Sequence, residues 1–163
     1  MADWGNQPEQ DSVGWGIAYA RYKNICGYCA VVARVEAISD VKVTQLYVAV
    51  DTGQIINPDG LRNKVEGGAI QATSWTLREE VRFDQKTVLT RDWDSYPILR
   101  FSDVPRVDVH LISLLQEPPL GVGEVAGGPV TAAIGNGLAN AIGVRIRRLP
   151  LTVERITAAI TDG

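Results

Sequence analysis

Three strand-like runs follow one another before residue 51 of this 163-residue chain, and they restrict its fold more than any other feature. Ala18-Tyr19-Ala20 is the first, Val31, Ala33, Val35 and Ala37 alternating with Val32, Arg34 and Glu36 the second, and Val41 to Val50 the third. Period-two alternation buries one face and leaves the other wet. In the third run the alternation slips near Gln45, the mark of a β-bulge, and Asp51-Thr52-Gly53 ends the strand. Asn57 is then a good N-cap, Pro58 fits the first helical position and Asp59 suits the positive end of the dipole. The pattern predicts a helix from Pro58 toward Glu80 with an apolar stripe of Leu61, Val65, Gly68, Ala72 and Trp75. Gly67 and Gly68 inside it each cost about 1 kcal/mol relative to Ala. Close approach of a backbone or a ligand is the natural offset.

Further along, Trp93 to Asp103 is irregular, Val107 to Leu111 alternates as a strand, and Pro129 to Ile142 reads as a second helix stopped by Gly143. Thr152 caps a short final helix through Ile160. Strands and helices mix without the regular spacing of βαβ repeats, so the expected class is α+β, a mixed sheet with two main helices. A polar lead over residues 1–13 is expected to be flexible, with one domain over residues 14–163. A composition of 45% hydrophobic and 21% charged residues suffices for a core without metal or disulfide staples. The net charge of −3 argues against a nucleic-acid groove, and no apolar run is long enough to span a bilayer.

The stretch Gly121-Val122-Gly123-Glu124-Val125-Ala126-Gly127-Gly128-Pro129 sets one carboxylate among four glycines, directly before the second helix. Bare backbone admits a ligand, and a positioned carboxylate is a candidate general base. Read alone, the loop is more simply a surface turn. Cys26 and Cys29 form a CxxC, but residues three apart on a strand point to opposite faces, which favours structural cysteines over a metal or redox pair. His110, the only histidine, shares a strand face with Arg106 and Asp108 and reads as solvated. Arg145, Arg147 and Arg148 read as a surface or subunit-facing cluster. One His permits no Ser-His-Asp or Cys-His set.

Five segments in order carry a resemblance: Asp51-Thr52-Gly53-Gln54-Ile55-Ile56-Asn57-Pro58-Asp59-Gly60, Val65-Glu66-Gly67-Gly68, Asp94-Ser95-Tyr96-Pro97, Pro118-Pro119-Leu120-Gly121-Val122-Gly123-Glu124 and Arg148-Leu149-Pro150-Leu151-Thr152. They resemble the C-terminal part of the molybdenum-binding subunit of the xanthine dehydrogenase/aldehyde oxidase family, nearest to its isoquinoline 1-oxidoreductase and nicotinate dehydrogenase branch. The resemblance implies a molybdenum-pterin cofactor, in a cytosine dinucleotide or simpler form, and hydroxylation of an N-heterocycle or aldehyde with water as the oxygen source. Glu124 would be the active-site base, with Lys64, Gly67, Gly68, Gly121 and Gly123 as cofactor-binding residues. Lys64 stands where the family usually has Gln, so an amide-type contact becomes a charged one with three donors and no acceptor. The implied partners are the remainder of the molybdenum-binding subunit and a small subunit carrying [2Fe–2S] clusters. The implied location is cytoplasmic, or periplasmic if a partner carries the complex out. The alternative is a non-catalytic assembly module that keeps the family fold.

Overall fold

The computed structural model describes residues 2–8, 10–23 and 26–161. Met1 and Glu9 of the expected lead, and the last two residues of the expected domain, lie outside them. Strands β1 (Val13–Arg21), β2 (Tyr28–Ala37), β3 (Val41–Asp51) and β4 (Arg106–Ile112) form one sheet in the order β1-β2-β3-β4. The first two pairings are antiparallel and β3–β4 is parallel, so the sheet is mixed. Helices α1 (Pro58–Leu77), α2 (Gly127–Ile142) and the short α3 (Val153–Thr161) complete an α+β fold, as the sequence pattern predicts.

Alternation explains which sheet face is covered. On β2, Cys29, Val31, Ala33 and Val35 are all buried and point into one cluster with Val65, Ala69 and Ala72 of α1 and Val130, Ala133, Ile134 and Leu138 of α2. On β3 the buried set is Val41, Val43, Leu46, Val48 and Val50, which changes parity midway. Arg34 pairs with Gln45 and Val35 with Val43, so Thr44 is the extra residue of a bulge. That inserted residue keeps all five apolar side chains on the core face. The slip read near Gln45 is this bulge.

Helix α1 starts as expected, with Asn57 Oδ1 accepting from Gly60 N at 2.9 Å. It ends at Leu77 rather than near Glu80, because Ser74 O accepts from both Arg78 N and Glu79 N. Its buried stripe also differs from the one read from apolar residues. Ala69, Thr73 and Thr76 are buried, while Gly68 and Trp75 are only half-buried. The threonine hydroxyls donate to Ala69 O and Ala72 O within the helix, which satisfies them and lets a partly polar face enter the core.

The expected close packing at Gly67 and Gly68 is not made by this chain. A methyl group on Gly67 would meet nothing within 4 Å, and one on Gly68 would reach only Ala126 Cβ at 3.9 Å. Backbone contact occurs instead where α2 crosses β1, at Gly14, Gly16 and Gly137. Cys29 lies in β2 and is fully buried, whereas Cys26 sits in the β1–β2 turn rather than on a strand, and both are free. Burial pushes the Cys29 thiol up to about 12, which keeps it protonated and removes it as a redox nucleophile at neutral pH.

Candidate functional site

The site forms where several chain segments leave the same end of the sheet. Asp51 Oδ1 accepts from Gly53 N at 3.0 Å, and Gly53 turns the chain at φ 73°. A methyl group there would lie 2.3 Å from Pro118 O, so only glycine satisfies both the dihedral and the space. The freed segment pairs with the later loop: Gln54 N donates to Glu117 O at 3.1 Å and Leu120 N to Thr52 O at 3.0 Å. These bonds fix the loop that carries Gly121, Gly123 and Glu124 against the start of α1.

Between them lies a concavity of about 380 Å³ lined by Thr52, Gln54, Ile56, Lys64, Gly121 and Gly123, among others. Three of the sequence-predicted residues, Lys64, Gly121 and Gly123, therefore share one surface. Gly67 and Gly68 follow Lys64 by three and four positions on α1, hence on neighbouring ground of the same helix face. They do not line the concavity itself. Gly68 faces Ala126 in the loop that opens α2.

Glu124 is exposed and stands one residue beyond the lining segment, at its edge rather than inside it. Its Oε2 accepts from the Tyr22 hydroxyl at 2.6 Å. Tyr22, just past β1, carries no motif of its own and escapes sequence reading, because 102 positions separate it from Glu124. Its phenol pKa is raised above the usual value, first by the hydrogen bond to Glu124, then by desolvation and by the adjacent negative charge.

Among the described residues, the backbone N–H groups of Gly121, Val122, Gly123 and Glu124 donate to no protein acceptor. With Lys64 on the same lining, they give an otherwise largely apolar wall a set of free donors. Such a wall suits an anionic, oxygen-rich ligand. A phosphate-bearing pterin meets that description, so the residues present fit the group that the resemblance implies.

Residues 6–105 match the molybdopterin cofactor-binding domain. The chain belongs to that family, and its relatives are oxidoreductases of the molybdenum hydroxylase class. It is 40% identical over 156 residues to a nicotinate dehydrogenase subunit of Pseudomonas putida, a match covering 90% of this chain and 13% of that protein. It is 31% identical to the beta subunit of isoquinoline 1-oxidoreductase from Brevundimonas diminuta, covering 93% of this chain and 20% of the relative. The fold superposes on quinoline 2-oxidoreductase from Pseudomonas putida 86 with a TM-score of 0.73 and 28% identity, over 83% of this chain and 18% of that one. The chain thus spans a fifth or less of each of these proteins.

The remaining candidates stay apart from the concavity. His110 and the arginines Arg145, Arg147 and Arg148 are exposed, and Arg145 donates to Asn136 Oδ1 at 2.7 Å. Among the described residues, no helix is long and apolar enough to cross a membrane.

Proposed function

We propose that this chain forms part of a molybdenum hydroxylase that inserts a water-derived oxygen into a C–H bond of an N-heterocycle or aldehyde. The observation that carries the reading is an exposed Glu124 directly following the Gly121-Val122-Gly123 segment that, with Lys64, lines a concavity. Family membership supplies the cofactor class. The bound molybdenum-pterin group would supply the two-electron redox step. Overall, R–H and water become R–OH with release of two protons and two electrons.

This chain's own part is to bind, charge and accept a proton. The ammonium of Lys64 and the free N–H groups of the loop hold the anionic cofactor, most simply through phosphate oxygens. The glycines at 67, 68, 121 and 123 keep side chains out of its way. Glu124 takes one proton from the attacking water, and its position beside the cofactor surface is what makes it useful as a base.

The cofactor is proposed to carry a cytosine dinucleotide or to be the simpler pterin, and the electrons to leave through [2Fe–2S] clusters on a small partner subunit. The rest of the molybdenum-binding subunit is the other partner. The segment between α1 and β4 supports this, because Phe83, Trp93 and Phe101 are 73%, 76% and 99% exposed. Large apolar side chains held out this way mark a contact surface. The segment is nevertheless anchored, with Leu99 N donating to Ser74 Oγ at 2.9 Å and the Tyr96 hydroxyl to Glu79 at 2.7 Å.

Replacing Glu124 by Gln in the assembled enzyme keeps the shape and removes the basic carboxylate. Turnover is expected to fall at least about 100-fold while molybdenum content stays normal. Substantial turnover in that variant would remove Glu124 from the reaction. An assembly that never contains molybdenum would leave the scaffold reading in its place.

A further inference from the structure

The bond from the Tyr22 hydroxyl to Glu124 Oε2 joins two segments that are otherwise distant in the chain. Both ends are held. Tyr22 N donates to Gly27 O at 2.6 Å, which closes the β1–β2 turn. Gly27 has φ 79°, and a methyl group there would lie 2.5 Å from Leu120 Cδ2, so the turn is seated on the loop that leads to Glu124. On the other side, a methyl group at Gly123 would come within 3.6 Å of the Tyr22 oxygen. That is an ordinary contact distance, so the backbone of Gly123 runs directly beside the phenol oxygen.

An exposed glutamate with three free torsions samples many orientations, and ordering it has an entropic cost. A short bond from a neutral donor to a carboxylate is among the stronger ones available. We propose that Tyr22 is a positioning residue for Glu124: it holds Oε2, fixes the carboxylate's orientation and leaves Oε1 as the oxygen that takes the proton. The inference rests on the reading of Glu124 as the base. It requires Tyr22 to remain protonated where the enzyme works, and it does, because ionising the phenol would place two anions side by side. The charged groups nearby are Glu124, the Lys23 ammonium 5.4 Å from the Tyr22 ring centroid, and Lys64 in the adjoining concavity. With its pKa raised in the folded chain, the donor is fully present below the ordinary phenol value of ~10 and is lost only as pH rises through the higher folded value.

The test uses Tyr22→Phe, which keeps the ring and deletes the hydroxyl. In the metal-free chain, the wild-type-minus-Y22F difference in tyrosinate absorbance isolates the Tyr22 titration. It is expected above that of an ordinary phenol, and it should fall back when the same pair of proteins is compared in the Glu124→Gln background. A Tyr22 titration at the ordinary value, or one indifferent to Glu124→Gln, would overturn the inference without any activity measurement. In the assembled enzyme, Y22F is expected to lower kcat about 10- to 100-fold with KM changed less than about threefold and molybdenum content unchanged. Loss of molybdenum in Y22F would make Tyr22 structural and would also overturn it. The two readings separate cleanly. An active Glu124→Gln enzyme defeats the base, whereas an inactive Glu124→Gln enzyme beside a fully active Y22F enzyme defeats only the positioning.

Discussion

At the seam where α2 crosses β1, a methyl group on Gly14 would lie 2.0 Å from Gly137 O and one on Gly16 would lie 2.1 Å from Ala133 O. In and beside the concavity, methyl groups on Gly121 or Gly67 would meet nothing within 4 Å, and one on Gly123 would make only an ordinary contact at 3.6 Å. The first set is explained by the fold. With no side chains between them, helix and strand backbones touch, and two asparagines one helical turn apart can reach the open edge of β1. Asn140 Oδ1 accepts from Trp15 N at 3.0 Å, and Asn136 Nδ2 donates to Ile17 O at 2.9 Å. These bonds occupy edge groups that would otherwise invite another strand. The second set has no such account within the chain. A helix position such as Gly67 gives up stability for want of a methyl group, with nothing of the chain's own gained in return. On our reading, what the bare surface accommodates is the cofactor.

The largest expected effect belongs to the seam. Gly16→Ala forces a methyl group to within 2.1 Å of Ala133 O and 2.2 Å of Gly137 N, both backbone atoms that can move only by shifting the whole helix. Urea unfolding should show a loss of about 3 kcal/mol or more, the upper range for overpacking. A loss under about 1 kcal/mol would mean that α2 can lift off β1, and the seam would no longer differ in kind from the rim.

What could be read from the sequence divides along the same line. The strands, the Asn57-Pro58 cap, the bulge beside Gln45 and the Gly143 stop are each written in a few consecutive residues, and all are present. The buried stripe of α1 was only half legible, because Thr73 and Thr76 enter the core by bonding to their own helix. The seam was not legible, since the need for glycine at 14 and 16 comes from α2, far along the chain. The candidate site lies between these cases. The motifs singled out Lys64, Gly121 and Gly123, which line one concavity, but Tyr22 was invisible for want of any local signal.

Gly137 offers an intermediate step between seam and rim. A methyl group there would lie 2.8 Å from Val35 Cγ2, a side chain fully buried in the sheet, and 3.3 Å from Gly16 N. Side-chain atoms yield more readily than backbone, and alanine in a helix recovers about 1 kcal/mol over glycine. Gly137→Ala should therefore lose about 2 kcal/mol, less than Gly16→Ala, in the same unfolding experiment. Should it prove as costly as Gly16→Ala, the distinction between backbone and side-chain contact at the seam would fail.

At Gly67 the sign should reverse. The residue lies inside α1 in open surroundings, so alanine brings helix propensity without a clash, and the metal-free chain should gain roughly 0.5–1 kcal/mol. If the open space is reserved for the cofactor, the same methyl group should lower the molybdenum content of the assembled enzyme while the chain itself becomes more stable. Opposite changes in those two measurements would separate a binding constraint from a folding one, because a purely structural glycine cannot be improved for folding and harmed for binding at once. A Gly67→Ala enzyme with normal molybdenum content would show that the space above α1 is not reserved for the cofactor, and the rim would then need another explanation for its glycines.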